Sequence, residues 1–263
     1  MTATEGIPTV KKTFQKIYKN LERFRELDEN YFRKNVRITV VLAPPIDYLR
    51  VYEFFHNDPV LRDLKTSVSF ISNDVHSHFE RFEREDPEAL GFDKLYKIFK
   101  DDLIKKGRCK SIFLRELFER GFLNIHKRRL FKKYGKYHHP RGICHPGQRR
   151  LFINPKGELL MCERTSESLV IGDIETGYNV DLIFEILDIY SQPLTRACMD
   201  CWALRLCSSC FANNFSIDGF DSNGVPKCCA NIKENIFDDL VEYCSILNKK
   251  PDAFDYMKDI ITS

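Results

Sequence analysis

The chain has 263 residues, of which 43% are hydrophobic and 30% are charged, and its formal net charge is +3. This length and composition suit one large globular domain or two modest ones. The net charge is too small to indicate a nucleic acid or a membrane surface as a partner. No stretch resembles a signal peptide or is apolar enough to span a membrane, so we expect a cytoplasmic protein with no membrane partner.

The first segment, residues 1–72, alternates between helix and strand patterns. Apolar residues recur at helical spacing from Val10 to Phe24, and residues 36–42 form a short β-branched run. Residues 48–56 are again apolar at helical spacing, with Asp47 as the expected N-cap, and residues 65–71 read as a second strand. This order predicts an α/β fold class with βα units in a parallel sheet.

Two further segments follow. Residues 73–140 are charged and mostly helical in pattern, and we interpret them as an insertion. Residues 141–263 hold most of the cysteines and end in a helix, in which Leu240 and Tyr243 are among the apolar positions. The predicted domains are therefore 1–72, 73–140 and 141–263.

Eight of the ten cysteines lie between Cys144 and Cys229. In a reducing compartment, so many thiols indicate metal binding rather than disulfides. Two Cys-x2-Cys steps, which let pairs of thiolates converge on one metal or cluster, are separated by only five residues, between Cys201 and Cys207. Arg205, inside that loop, is expected to help keep the thiolates deprotonated.

A predicted hairpin lies upstream of these steps. Residues 152–159 read as strand, turn and strand, with Pro155 suited to the second turn position and Gly157 to a positive φ. The hairpin would carry Cys144 and Cys162 at its two ends and bring them near each other in space.

The spacing leaves the identity of the metal open. Eight thiolates can form two four-sulfur sites, and zinc takes such sites readily. Zinc ribbons, however, usually have a loop of about 15–20 residues between their two Cys-x2-Cys knuckles. The five-residue step found here favours iron–sulfur clusters that lie next to each other, with zinc binding and purely structural thiols as the alternatives.

These residues resemble the SPASM domain, the auxiliary-cluster extension of radical S-adenosylmethionine (SAM) enzymes. That pattern is Cys-x9–15-Gly-x4-Cys, a gap, Cys-x2-Cys-x5-Cys-x3-Cys, a gap, and a final Cys. The chain departs from it at one step, because two residues rather than three separate Cys207 from Cys210. The matching positions are Cys144-His145-Pro146-Gly147, Gly157, Cys162, Ile171-Gly172-Asp173-Ile174, Cys198, Cys201, Cys207, Cys210 and Cys228.

Residues 9–72 are similar to the later half of the partial TIM barrel of the same enzymes. The similarity is closest to members that modify ribosomally made peptides, for example by installing thioether or related crosslinks. The resemblance covers most of the chain outside about 73–140, and it implies a partial (incomplete) TIM barrel followed by a Cys-rich α+β auxiliary-cluster domain.

The resemblance also implies two auxiliary 4Fe-4S clusters and assigns their ligands by position. The fourth position of the first cluster would be open, or filled by Cys229 or Cys109. Cys109 and Cys244 lie in helical patterns and are otherwise expected to be buried thiols. The implied ligands are Cys144, Cys162 and Cys210 for the first cluster, and Cys198, Cys201, Cys207 and Cys228 for the second.

The Cys-x3-Cys-x2-Cys motif that binds the SAM-cleaving cluster in this family is missing. The first cysteine is Cys109, and Gly6 is the only glycine in residues 1–72. We therefore expect a split or truncated radical SAM enzyme, or a fragment of one, that is inactive alone and has no assignable catalytic residue.

Two kinds of partner follow from this expectation. One is a ribosomally made precursor peptide, and the other is a separate N-terminal radical SAM half, with which the chain would bind SAM. The alternative functions are a zinc-binding interaction module and a stand-alone iron–sulfur electron carrier.

Overall fold

A computed structural model describes residues 8–43, 46–70, 91–128, 144, 146–148, 150–165, 169–210, 215–216, 219–220 and 224–260. The chain divides into two compact units, 1–120 with 246–263, and 121–245. Residues 71–90 and 129–143 lie outside the described part, and both predicted domain boundaries fall there, so those boundaries stay predictions. No helix in the described ranges has the length and apolar character needed to cross a membrane.

The described elements make a mixed α/β structure, as predicted. The helices are α1 (Pro8–Leu27), α2 (Glu29–Asn35), α3 (Tyr48–Asn57), α4 (Phe92–Lys106), α5 (Ile112–His126), α6 (Val180–Met199) and α7 (Gly224–Lys249), followed by a 3-10 helix at Asp255–Asp259. The strands are β1 (Arg37–Leu42), β2 (Lys65–Phe70), β3 (Phe152–Ile153), β4 (Glu158–Leu160), β5 (Val170–Asp173), β6 (Gly177–Tyr178), β7 (Phe215–Ser216) and β8 (Gly219–Phe220). These strands form small sheets, and no closed barrel is present among them.

In the first unit, β1 and β2 pair in parallel, with Arg37 opposite Lys65 and Leu42 opposite Phe70. Helix α3 connects them. The Asp47 side chain accepts a hydrogen bond from the Arg50 backbone N–H at 2.9 Å and so caps this helix. The predicted parallel strand pair with a capped helix between its strands is confirmed.

One core cluster of the first unit gathers around α2 and the turn that precedes β2. Phe32 and Leu64 are fully buried there. Asp58 braces this turn, because its Oδ1 accepts hydrogen bonds from the backbone N–H groups of Val60 (2.8 Å) and Leu61 (2.9 Å). Its Oδ2 accepts a third bond, at 2.8 Å, from the hydroxyl of Tyr18 on α1.

In the second unit, β3, β4, β5 and β6 form an antiparallel sheet in that order. Helix α6 is capped by Asn179, whose side chain accepts from the Leu182 backbone N–H at 3.0 Å. Apolar residues of the sheet and of α6 pack together as the core of this unit. Its buried members are Leu159, Met161, Leu169, Ile171, Ile186, Tyr190 and Leu194.

The predicted hairpin is formed by β3 and β4. Gly157 takes a φ of +83°, as its place in the turn predicts. The sequence reasoning missed the contribution of Asn154, which is buried at the start of the turn. Its Oδ1 accepts hydrogen bonds from the backbone N–H groups of Lys156 and Glu158, each at 3.0 Å, and this holds the turn closed.

Candidate thiol site

The two Cys-x2-Cys steps begin in the last turn of α6 and continue through a series of tight turns. Cys198 lies in the last turn of α6, and its carbonyl accepts a hydrogen bond from the Cys201 backbone N–H at 3.1 Å. The Cys201 carbonyl accepts from Leu204 at 3.1 Å, and the Leu204 carbonyl accepts from Cys207 at 3.4 Å. The short step between the two cysteine pairs is therefore folded back on itself rather than extended.

One sulfur of this segment already receives a backbone hydrogen bond. The N–H of Ser209 donates to Sγ of Cys207, with the nitrogen and the sulfur 3.5 Å apart. Such N–H donors stabilise the negative charge that a thiolate carries when it binds a metal or cluster. The second Cys-x2-Cys step is thus locally arranged to support a thiolate.

A further thiol comes from α7. Cys229 and Cys198 both pack against the core of the second unit. Burial raises the pKa of the Cys198 thiol to about 11, and repulsion from Cys207, Cys229 and Cys201 adds to this, while Lys233 opposes it. We call Cys198, Cys201, Cys207 and Cys229 the Cys198 group, because the last three thiols each act on the Cys198 thiol.

The raised pKa of Cys198 has a chemical consequence. The half-buried Cys198 thiol resists ionisation, because partial burial and the thiols around it disfavour its charged form. A bound cation removes this obstacle, since a metal deprotonates the thiols that coordinate it. The Cys198 group is therefore suited in its chemistry to a thiolate-bound metal or iron–sulfur cluster.

The distances in the group are longer than coordination requires. Within the described residues, no three His, Cys, Asp or Glu side chains come close enough together to hold a metal ion. Binding would thus require the sulfurs to move closer to one another. The cysteines whose side chains are described are free thiols, so disulfides do not compete for them.

Neither set of predicted cluster ligands lies within metal-holding distance among the residues that the structure describes. Of the first set, Cys162 is buried, while Cys144 and Cys210 are half-buried, and these three also fall outside metal-holding distance. Of the second set, Cys198, Cys201 and Cys207 are neighbours. The side chain of Cys228 lies outside the described residues, and its role stays a prediction.

The two remaining cysteines have different surroundings. Cys109 is fully buried in the first unit, and burial raises its pKa to about 11, so the prediction of a buried thiol is confirmed. The same prediction is wrong for Cys244, which is exposed. The buried side of α7 is occupied there by Tyr243 and Ile246, and Cys244 lies between them in sequence on a different side of the helix.

Tyr190, Ser209 and Lys233 surround the site but were not singled out from the sequence. Lys233, on α7, lowers the pKa of Cys198, which is the effect that the sequence predicts for Arg205. A signal for Tyr190 did exist. Tyr190 belongs to a row of mostly apolar residues that recur every four positions along α6, and residues with this spacing share one face of a helix. The row consists of Ile186, Tyr190, Leu194 and Cys198.

Comparisons of the chain with protein-family models, with curated proteins and with solved structures found no match. Its function is therefore inferred from the cysteine spacing and from the surroundings of Cys198.

Proposed function

We propose that this chain is the iron–sulfur-binding portion of a radical SAM enzyme with a SPASM-like domain, acting on a ribosomally made precursor peptide to form thioether or related crosslinks. The observation that carries the proposal is the folded double step of cysteines at the end of α6, with Cys229 of α7 packed against the same core as Cys198. The pair β1 and β2, with α3 between them, is assigned to the later half of a partial barrel. SAM cleavage is assigned to a separate N-terminal half, because these 263 residues contain no Cys-x3-Cys-x2-Cys motif.

Each part of the site has a role in this proposal. The Cys198 group supplies thiolates, the usual ligands of iron–sulfur clusters. Lys233 offsets part of their charge, and the buried side chains of Ile186 and Leu194 keep water from the adjoining core. A bound auxiliary cluster would carry electrons or hold a substrate thiolate. A reducing cytoplasm, our proposed location, would keep the thiols available.

A zinc-binding interaction module is the second candidate, and one observation favours it. The Cys198 group has four members, and four thiolates make one complete tetrahedral zinc site. A structural zinc site of this kind would hold α7 against the end of α6 and would need no second cluster.

Metal analysis of the purified full chain separates the two candidates. After anaerobic reconstitution, an iron–sulfur protein should be brown, absorb near about 400 nm, and contain iron and sulfide in comparable amounts. A colourless protein with stoichiometric zinc would support the second candidate. A chain that retains neither metal would contradict both.

Trp202 makes this test specific to the site. It is the only tryptophan in the chain, it follows Cys201 directly, and it is 56% exposed. A cluster that forms at this step should quench its fluorescence, whereas zinc should change it far less. Iron that leaves the emission of Trp202 unchanged would indicate binding elsewhere and would contradict the assignment to these cysteines.

A further inference from the structure

The first unit contains a cavity of about 240 Å³. It lies where the end of α3, the turn before β2 and the residues that lead into α5 meet. Every residue that lines it belongs to the first unit. Since a cavity of about 150 Å³ can hold one benzene ring, this one has room for a single ring that carries a small acid group.

The buried part of the cavity lining is mostly apolar. The rings of Phe55, on α3, and Phe113, on α5, stack nearly parallel, with their centroids 5.6 Å apart and their planes at 8°. Phe113 and Leu61 are buried. Thr66, which also lines the cavity, is buried as well, and its hydroxyl donates to the Leu64 carbonyl at 3.1 Å. This lining suits an aromatic ring.

Two cations lie on the exposed part of the lining. Lys110 forms no ion pair with another described residue. The ion pair of Arg62 is long, because its Nε lies 3.6 Å from Oδ2 of Asp63. Arg33 holds the same oxygen more closely, at 2.6 Å, and so neutralises most of the Asp63 charge. The positive charges of Arg62 and Lys110 therefore remain available to an anion.

Two further polar side chains supply hydrogen bonds of fixed direction. Oγ of Ser111 accepts a hydrogen bond from the Leu114 backbone N–H at 3.3 Å, which leaves its O–H to donate. The imidazole of His56 stacks on the Tyr52 ring, with the centroids 5.1 Å apart, and this contact holds it at the cavity. An apolar wall next to donors and positive charge selects a ligand with an apolar body and an anionic group.

We propose that this cavity binds a small aromatic acid, meaning a single ring that carries a carboxylate or a phosphate group. The ring lies against Phe55 and Phe113, and the acid group accepts hydrogen bonds from Arg62, Lys110 and Ser111. The guanidinium of arginine matches the geometry of either acid group. The inference is independent of the proposed function, because none of the described residues that line the cavity is a cysteine and no bound metal is required.

The test measures binding of phenylacetate and of phenyl phosphate to the purified full chain by proton NMR titration. We expect a Kd of about 1 mM for the better probe, the range for a ligand of about ten heavy atoms, and the tighter probe identifies the acid group. Acetate carries only the charge and benzyl alcohol only the ring, so each should bind at least about 10-fold more weakly. If either binds as tightly as the aromatic acids, the proposal is overturned.

A double variant, Arg62→Gln with Lys110→Gln, removes both cations from exposed positions, where substitution disturbs the fold little. The better probe should bind it about 10-fold more weakly, because each exposed charge pair is worth up to about 5-fold. The matched control, Lys105→Gln with Lys106→Gln, removes the same charge from exposed residues of α4 that do not line the cavity, and should keep the affinity. Equal affinities in the two double variants would overturn the proposal.

A second measurement locates the probe without altering the cations. The proton on Cε1 of His56 should shift as an aromatic ring binds beside the imidazole, and His56→Gln identifies this resonance among those of the seven histidines. A shift that follows the binding curve supports the proposal. Binding that leaves this resonance unchanged places the probe elsewhere and overturns it. Neither result depends on iron or zinc, so failure of this inference leaves the proposed function standing.

Discussion

The carboxylate of Asp239, on α7, lies directly against the backbone of Gly121, on α5, where an added Cβ would meet Asp239 Cγ at 2.5 Å. Both residues belong to the second unit. Glycine inside a helix costs roughly 1 kcal/mol of stability relative to alanine. The close approach of Asp239 explains why this position carries glycine despite that cost.

The contact predicts that Gly121 and Asp239 are energetically coupled. Alone, Gly121→Ala gains helix propensity but forces Asp239 out of its place, so we expect little benefit or a net loss. In an Asp239→Ala background, the same change should stabilise the protein by about 1 kcal/mol. Urea unfolding of the four proteins in this cycle should give an interaction free energy of at least ~0.5 kcal/mol. Additive effects would show that the contact carries no energy.

Asp239 also predicts a dependence of stability on pH. Burial, and then repulsion from Asp238, raise its pKa from 3.8 to about 6 in the folded protein. The folded state therefore holds this proton more tightly than the unfolded state, and rising pH destabilises the protein between about pH 4 and pH 6.

The variant Asp239→Asn has no proton to lose, so it isolates this effect. Below pH 4, its free energy of unfolding should match that of the unmodified chain. Above pH 6, the variant should be more stable by about 1 kcal/mol, a value reduced from the full linkage because water reaches part of the group. A difference that stays constant from pH 4 to pH 7 would show that Asp239 does not titrate in this range.

Local signals accounted for the parts of the fold that the sequence predicted correctly. The cap at Asp47, the positive φ of Gly157 and the strand that begins at Lys65 each depend on residues within a few positions of one another. Parallel pairing of β1 with β2 followed from the order of the elements. The cap, the positive φ and the strand were predictable because neighbouring residues largely determine them.

The candidate site was predictable only in part, because it is built from residues far apart in sequence. The spacing identified Cys198, Cys201 and Cys207, which lie within one short segment. It could not show that Cys229 packs against the same core as Cys198, or that Lys233 lies close enough to affect it. Those relationships depend on how α7 packs against α6, for which the sequence carries no local signal.

Asp58 should stabilise the first unit through all three of the hydrogen bonds that it accepts. Asp58→Ala leaves the backbone N–H groups of Val60 and Leu61 and the Tyr18 hydroxyl without this partner, and we expect a loss of about 2–3 kcal/mol. Tyr18→Phe removes only one of the three bonds and should cost about 1 kcal/mol. Chemical unfolding of both variants measures the difference. Equal losses would mean that the backbone bonds contribute little.

The last prediction concerns the adjacent cysteines of α7. Cys229 packs against the same core as Cys198 and its thiol raises the pKa of Cys198, so we predict that Cys229 is a ligand of the group. Cys229→Ser should therefore weaken zinc or cluster binding by more than 100-fold, beyond the usual loss for a residue that only supports a ligand.

Two serine variants serve as controls for Cys229→Ser. Cys228→Ser removes the thiol that the family pattern implies as the ligand, and the larger of the two losses of binding identifies which cysteine of the pair binds the metal. Cys244→Ser removes a thiol that is exposed on α7 and should change nothing. Metal content, chelator competition and Trp202 fluorescence are measured for all three, together with unfolding of the metal-free proteins, because a hydroxyl in place of the half-buried Cys229 thiol also lowers stability. Loss of binding in Cys228→Ser with binding retained in Cys229→Ser would restore the ligand set that the family pattern implies.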